Sequence, residues 1–309
     1  MPVRQEDTAL LEALTPEAER LMERHLSSSK EWFPHEFVPW SLGRDFEPGE
    51  EWVADDATMS PAVRAALVVN LLTEDNLPYY FRTIERMFGD DNVWGAWSKR
   101  WTAEEGRHSI VIRDYLTVTR AVDPVELERD RMAQVGAGIV PEPPTAAEGM
   151  VYVALQELAT RIAHFNTGKL LNDEAGYKVM KRVMTDENFH FIFYRDLCTA
   201  ALKVNPSELV IAIEKQVRDF EMPGTGIPNF GERSKMIAKA GIYDMQIHHE
   251  QILVPVVMRE WAVESLEGLT PEAEQARIAL VDRIERIGRI AAKAAERAAR
   301  QADTLSVPA

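Results

Sequence analysis

The sequence predicts an all-α protein, and three observations carry that reading. Hydrophobic residues fill 46% of its 309 positions and fall in Ala-rich segments of helical period. Val, Ile and Thr show little of the strict alternation that marks a half-buried strand. Two Glu-x-x-His pairs, Glu105 with His108 and Glu187 with His190, are spaced so that a helix aims both side chains at one point. No long Pro/Gly/Ser-rich linker separates these segments, which predicts a single domain over residues 1–309.

Within it, residues 1–60 are expected to hold a helix and a packed irregular segment, 61–204 the core bundle, and 205–309 additional helices ending in a basic one. Residues 7 to 26 read as an amphipathic helix. After Ser27-Ser28-Ser29, the aromatic, Pro-interrupted stretch from Glu31 to Trp40 reads as packed but irregular. Ser60 caps a helix with Pro61 at its first position, and Leu67, Leu71 and Glu74 share one side of it. Pro78 kinks or restarts that helix, and Gly89 closes it.

A helix from about Asp91 to Ala121 carries Glu105 and His108, and Asp123-Pro124 starts a short one. Pro141-Glu142-Pro143-Pro144 is a loop; Thr145 with Glu148 forms a capping box that launches the helix of Glu157, to about Leu171. Asn172-Asp173 opens the helix of Glu187 and His190, to about Val204, and Asn205-Pro206 caps the next, to about Phe220. The run from Pro223 to Pro228 breaks the pattern, and helices of roughly 231 to 240 and 243 to 263 follow. Thr270-Pro271 starts the last helix, in which Leu280, Ile284, Ile287, Ala291, Ala294 and Ala298 form a seam with the arginines outside.

A net charge of −15 argues against nucleic acid as a partner, since a polyanion would be repelled. The exception is local: between Arg277 and Arg300 stand seven basic residues and three acidic ones. The one cysteine, Cys198, excludes an internal disulfide and an iron–sulfur or thiolate-bound zinc site, and suits a reducing cytoplasm. No apolar run approaches the ~20 residues that span a bilayer, and the stretch opened by Met1 lacks the apolar core of a signal peptide. Dinucleotide-binding, Walker and Gly-x-Ser-x-Gly signatures are all missing.

Each Glu-x-x-His pair has an isolated glutamate upstream: Glu74 lies 31 positions before Glu105, and Glu157 lies 30 before Glu187. One Glu from each of two helices, with one Glu-x-x-His from each of two others, is the ligand inventory of ferritin-like di-iron carboxylate bundles. Ile110, Val111 and Ile112 after His108, and Phe189, Phe191 and Ile192 around His190, place both motifs in an apolar interior. A carboxylate there demands a cation or a proton. Four carboxylates and two imidazoles without thiolate suit two iron ions, or manganese in their place, and four negative charges balance two divalent ions. His248-His249-Glu250 lacks a second cluster at metal spacing and reads as a polar patch or packed pair.

Four segments, Leu72 to Tyr80, Trp101 to His108, Gln156 to Thr160 and Asp186 to His190, together resemble the soluble acyl-carrier-protein desaturases. The similarity is to the plant stearoyl type and, more closely, to the actinobacterial branch, over approximately residues 25 to 265. It implies a ferritin-like homodimer whose di-iron centre lies beside a narrow acyl channel. The activity implied is oxygen-dependent insertion of a double bond into an acyl chain on acyl carrier protein, in fatty acid biosynthesis, with electrons from ferredoxin or a similar donor. By position, Glu74, Glu105, His108, Glu157, Glu187 and His190 take the ligand roles, and Thr160 sits beside the oxygen-binding side. Trp32, Asp186 and His108 match the family's electron-entry path.

Thr83 and Met87, one and two turns beyond Tyr80, are expected to line the channel. Arg286, Arg289 and Lys293 are the expected landing area for the acidic carrier. A di-iron oxygenase with another substrate, or a ferritin-like iron-binding protein, would share the ligand set. Against the plant chains, a plastid transit segment is not expected, a shorter loop between Glu74 and Glu105 is, and the region from about 270 diverges into a basic helix.

Overall fold

The structure, a computed structural model, describes residues 5–54 and 59–305, with side chains described for 7–54 and 59–297. Met1 and the side chains of Ala298 and Arg300 therefore lie outside the described residues. The helices are α1 (Gln5–Ser28), α2 (Pro61–Glu74), α3 (Leu77–Phe88), α4 (Asn92–Val118), α5 (Pro124–Ala137) and α6 (Ala146–Leu170). They continue with α7 (Glu174–Val204), α8 (Pro206–Asp219), α9 (Phe230–Lys239), α10 (Met245–His248) and α11 (Pro271–Leu305). No strand occurs among the described residues, so the all-α expectation holds.

Most helix starts follow from caps written in the sequence. Ser60 Oγ accepts from Val63 N, Asp123 from Val125 N, Asp173 from Ala175 and Gly176 N, and Asn205 from Glu208 N, each satisfying amides that the first turn leaves unpaired. Asp75 and Asn76 interrupt the chain between α2 and α3, so Pro78 falls in a first turn where its missing N–H costs nothing. Gly89 ends α3 at φ 94°, a conformation that only glycine adopts freely.

Some expectations change. Thr145 Oγ1 does accept from Glu148 N at 3.0 Å, but the Glu148 carboxylate pairs with Lys215 and Gln216 of α8, so only half of the capping box forms. In the stretch from Glu31 to Trp40 only Trp32 and Val38 are buried, while Phe33 and Trp40 are exposed. The segment also contains 3-10 turns at Pro34–Glu36 and Trp40–Leu42. Ile110 is exposed and does not enclose His108. Between His249 and Glu260 the chain winds in wider, π-type turns around Pro255, where an ordinary α-helix was expected. The α11 seam buries Leu280, Ile284 and Ala291 but not Ala294, where the helix has run past its neighbours.

Two apolar cores flank a polar belt. One gathers Trp94, Trp97 and Trp101 of α4 with Phe191, Phe193 and Tyr194 of α7 and much of α1, α6 and α8. The other gathers Val111, Ile112 and Tyr115 of α4 with Val179, Met180 and Val183 of α7, and α2 and Trp32. Helices α4 and α7 cross from core to core in opposite directions, and the Glu-x-x-His pair of each lies at the crossing.

Candidate metal centre

Helices α2, α4, α6 and α7 deliver Glu74, Glu105 with His108, Glu157, and Glu187 with His190 into this belt, and each side chain is buried. They form two groups whose donor atoms lie within 4.8 Å of one another: Glu74, Glu105, His108 and Glu187, and Glu105, Glu157, Glu187 and His190. Glu105 and Glu187 belong to both groups, as carboxylates shared between two adjacent positions would.

Both imidazoles present Nδ1 to the carboxylates. His108 Nδ1 lies 3.3 Å from Glu105 Oε2 and 3.3 Å from Glu187 Oε1. His190 Nδ1 lies 2.7 Å from Glu105 Oε1 and 3.7 Å from Glu157 Oε2. Glu105 Oε1, Glu157 Oε2, Glu187 Oε1 and both Nδ1 atoms are buried without a hydrogen-bond partner in the protein. Buried polar groups are rarely left so, and a cation satisfies all of them together. The donor set therefore fits a metal ion.

Without metal, protons take that part. Burial and the nearby Glu105 carboxylate push the Glu74 pKa up to about 8. Burial, Glu187 and Glu105 likewise raise Glu157 well above the carboxylate range. Burial opposes protonation of His108, but Glu105, Asp186 and Glu187 outweigh it and hold the ring charged.

The outer contacts are as specific. Asp186 Oδ2 accepts from Trp32 Nε1 at 2.7 Å and from Arg107 at 3.2 Å, and lies 3.5 Å from His108 Nε2. Arg182 pairs with the other Asp186 oxygen, and the guanidinium groups of Arg107 and Arg182 lie 4.8 Å and 5.5 Å from the Trp32 ring centroid. Thr160 Oγ1 lies 2.9 Å from Glu187 Oε2.

Residues that the sequence did not single out complete the belt. His164 Nε2 lies 3.4 Å from Glu187 Oε1 and 3.6 Å from Glu74 Oε1. Burial works against its protonation, yet those two carboxylates outweigh it and raise its pKa to about 9. Its position two turns beyond Glu157 on α6 was the available signal. Glu104 and His25 form a further buried pair beside His190. The signal there was the acid preceding Glu105, which parallels Asp186 preceding Glu187.

A small cavity of about 40 Å³ opens on Glu74 and Glu105 and is otherwise lined largely by Leu77, Tyr80, Thr83, Ile84, Met87, Tyr152 and Val153. Thr83 and Met87, the residues expected to line a channel, are among the lining residues of this cavity. A surface groove between residues 139–144 and α8 shares Pro141, Pro143 and Tyr152 with this cavity. Arg286, Arg289 and Lys293 are exposed on α11, which packs on α8, away from the buried cluster. His248 is a packed residue, stacked on Phe220 at 4.8 Å and bonded to Tyr243 Oη at 2.8 Å. No described helix is long and apolar enough to cross a membrane.

Fold and site define a ferritin-like helical protein with a buried carboxylate–histidine cluster able to hold metal beside an apolar cavity. The family model described as fatty acid desaturase matches residues 6–308, and the chain belongs to that family. DesA1 of Mycobacterium tuberculosis, named as an acyl-(acyl-carrier-protein) desaturase, is 41% identical over 281 residues, 88% of this chain and 83% of its own. A chloroplastic stearoyl-(acyl-carrier-protein) 9-desaturase of Spinacia oleracea is 26% identical over 293 residues, 88% of this chain and 73% of its own. The X-ray structure of DesA2 from Mycobacterium tuberculosis, titled an acyl-ACP desaturase, superposes with a TM-score of 0.70 at 27% identity. That match covers 87% of this chain and 99% of the other.

Proposed function

We propose that this protein is an acyl-carrier-protein desaturase of fatty acid biosynthesis, holding two iron ions on Glu74, Glu105, His108, Glu157, Glu187 and His190. The observation that carries the reading is the pair of donor groups sharing Glu105 and Glu187 at the end of an apolar cavity. Iron, or manganese as a substitute, is favoured by oxygen and imidazole donors without thiolate. Bound there, the metals would supply the oxygen-dependent redox chemistry that removes two hydrogens from adjacent methylenes, which no side-chain acid or base can do.

The chain's own residues do the rest. Tyr80, Thr83, Ile84 and Met87 shape the cavity that orients the acyl chain and excludes water. Asp186 fixes His108, and Thr160 holds Glu187 on the side facing α6. Electrons from ferredoxin or a similar donor enter through Trp32 and Asp186, whose direct hydrogen bond supports that route. A largely apolar lining that reaches Glu74 and Glu105 supports an acyl substrate over mineral storage.

The carrier docks on the basic face of α11. Arg283 of α11 and Arg218 of α8 both meet Glu214, and Arg218 also lines the groove that shares Pro141, Pro143 and Tyr152 with the cavity, which supports docking on this face through Arg286, Arg289 and Lys293. We place the protein in the cytoplasm as a homodimer, with residues 1–309 acting as one domain.

The test is incubation of the iron-loaded protein with O2, reduced ferredoxin and a panel of acyl-carrier-protein thioesters. Loss of two hydrogens from one acyl length by mass spectrometry is expected. Gain of an oxygen atom, or no change across the panel, rejects the desaturase reading.

A further inference from the structure

The acid ahead of each Glu-x-x-His pair backs the imidazole of the other pair. Asp186 faces Nε2 of His108, and Glu104 faces Nε2 of His190. The two halves then differ. Each acid pairs with two arginines, Asp186 with Arg107 and Arg182 and Glu104 with Arg100 and Arg107, but beyond Asp186 stands Trp32, whereas beyond Glu104 stands His25, carried in by α1.

Glu104 Oε2 accepts from His190 Nε2 at 3.0 Å and from His25 Nε2 at 2.9 Å, while its other oxygen pairs with Arg100. The His25 and Glu104 side chains are 3% and 4% exposed, so water does not supply this contact. His25 is itself held by Trp97, edge-on at 5.0 Å between ring centroids. A carboxylate accepts and cannot donate, so both facing ring nitrogens carry hydrogen.

We infer that Glu104 and His25 are positioning residues for His190. Glu104 holds the hydrogen of His190 on Nε2, which leaves the Nδ1 lone pair aimed at the groups of Glu105 and Glu157. His25 in turn fixes the Glu104 carboxylate, so the N-terminal helix takes part in building one metal position and not the other. The inference rests on the proposed metal site, and its test separates the two.

Cobalt(II), whose visible absorption reports its ligands, is titrated into the metal-stripped parental chain and into His25→Gln, His25→Leu and Glu104→Gln. Glutamine at position 25 keeps an N–H donor near the place of Nε2; leucine does not. The parental chain and His25→Gln are expected to bind two cobalt ions alike. In His25→Leu and Glu104→Gln one of the two ions should bind about tenfold or more weakly with an altered spectrum, the other remaining unchanged. Unchanged binding in His25→Leu overturns the inference. So does equal weakening of both ions, which general loosening of the fold would produce, and so does failure of His25→Gln to restore binding. A parental chain that takes up no cobalt overturns the metal site itself.

Discussion

Trp32 donates a 2.7 Å hydrogen bond to Asp186 across 154 residues of chain, tying the irregular N-terminal segment to the residue that backs His108. Asp186→Asn keeps the shape but loses the charge shared with His108, Arg107 and Arg182. It should slow reduction of the loaded centre by ferredoxin about tenfold or more while leaving metal content nearly intact. Trp32→Phe should act in the same direction, with an unfolding curve as the control for lost packing. Stopped-flow reduction at the parental rate in both variants would remove this route.

The metal-free protein should lose stability as pH rises. Glu74 at about 8 and His164 at about 9 both lie above their ordinary values of 4.5 and 6.5. Each binds more protons folded than unfolded in those intervals, so stability falls with rising pH through them. The His164 contribution is complete below pH 6.5 and lost as pH passes 9, and over much of that window Glu74 is also made to ionise in burial. Metal displaces these protons, so the loaded protein should be spared. Thermal unfolding from pH 6.5 to 9 checks this, and a metal-free midpoint that stays level or rises would contradict it.

How much of this was legible in sequence depended on whether a signal was local. Caps at Ser60, Asp123, Asp173 and Asn205 need only a few residues, and all formed. The Glu-x-x-His pairs were equally local, and duplication made them specific. His164 and His25 gave no such pattern, because their partners Glu187 and Glu104 arrive from other helices. Glu148 misled for the same reason, since Lys215 of α8 outcompetes its own helix start. Burial of aromatics was overread at Phe33 and Trp40, where the chain runs over the surface.

Gly149 stands behind Met87, which lines the cavity. A Cβ there would press on Met87 Sδ and stand 2.9 Å from its Cε, and Met87 has room to yield into the cavity it lines. Gly149→Ala should therefore shift kcat/KM toward shorter acyl chains by about tenfold, since one methylene is worth ~1–3 kcal/mol in an apolar pocket. Met87→Ala should shift it toward longer chains. Identical chain-length profiles in both variants would mean that the acyl chain lies elsewhere.

Reversing Arg286, Arg289 and Lys293 to Glu should raise KM for the carrier-bound substrate on the order of tenfold at low salt and flatten its salt dependence. All three are exposed, so folding should be unaffected. Unaltered KM and unaltered salt response would place the docking surface off α11.

Glu105 and Glu187 belong to both donor groups, and in the proposed centre they are shared by two metal positions. Mössbauer spectroscopy with metal analysis on the iron-reconstituted protein tests it most directly. Two irons per chain in an antiferromagnetically coupled pair are expected, with both lost or uncoupled in Glu105→Ala and in Glu187→Ala. A single iron with an isolated high-spin ferric signal, or two irons undisturbed by those substitutions, would contradict it.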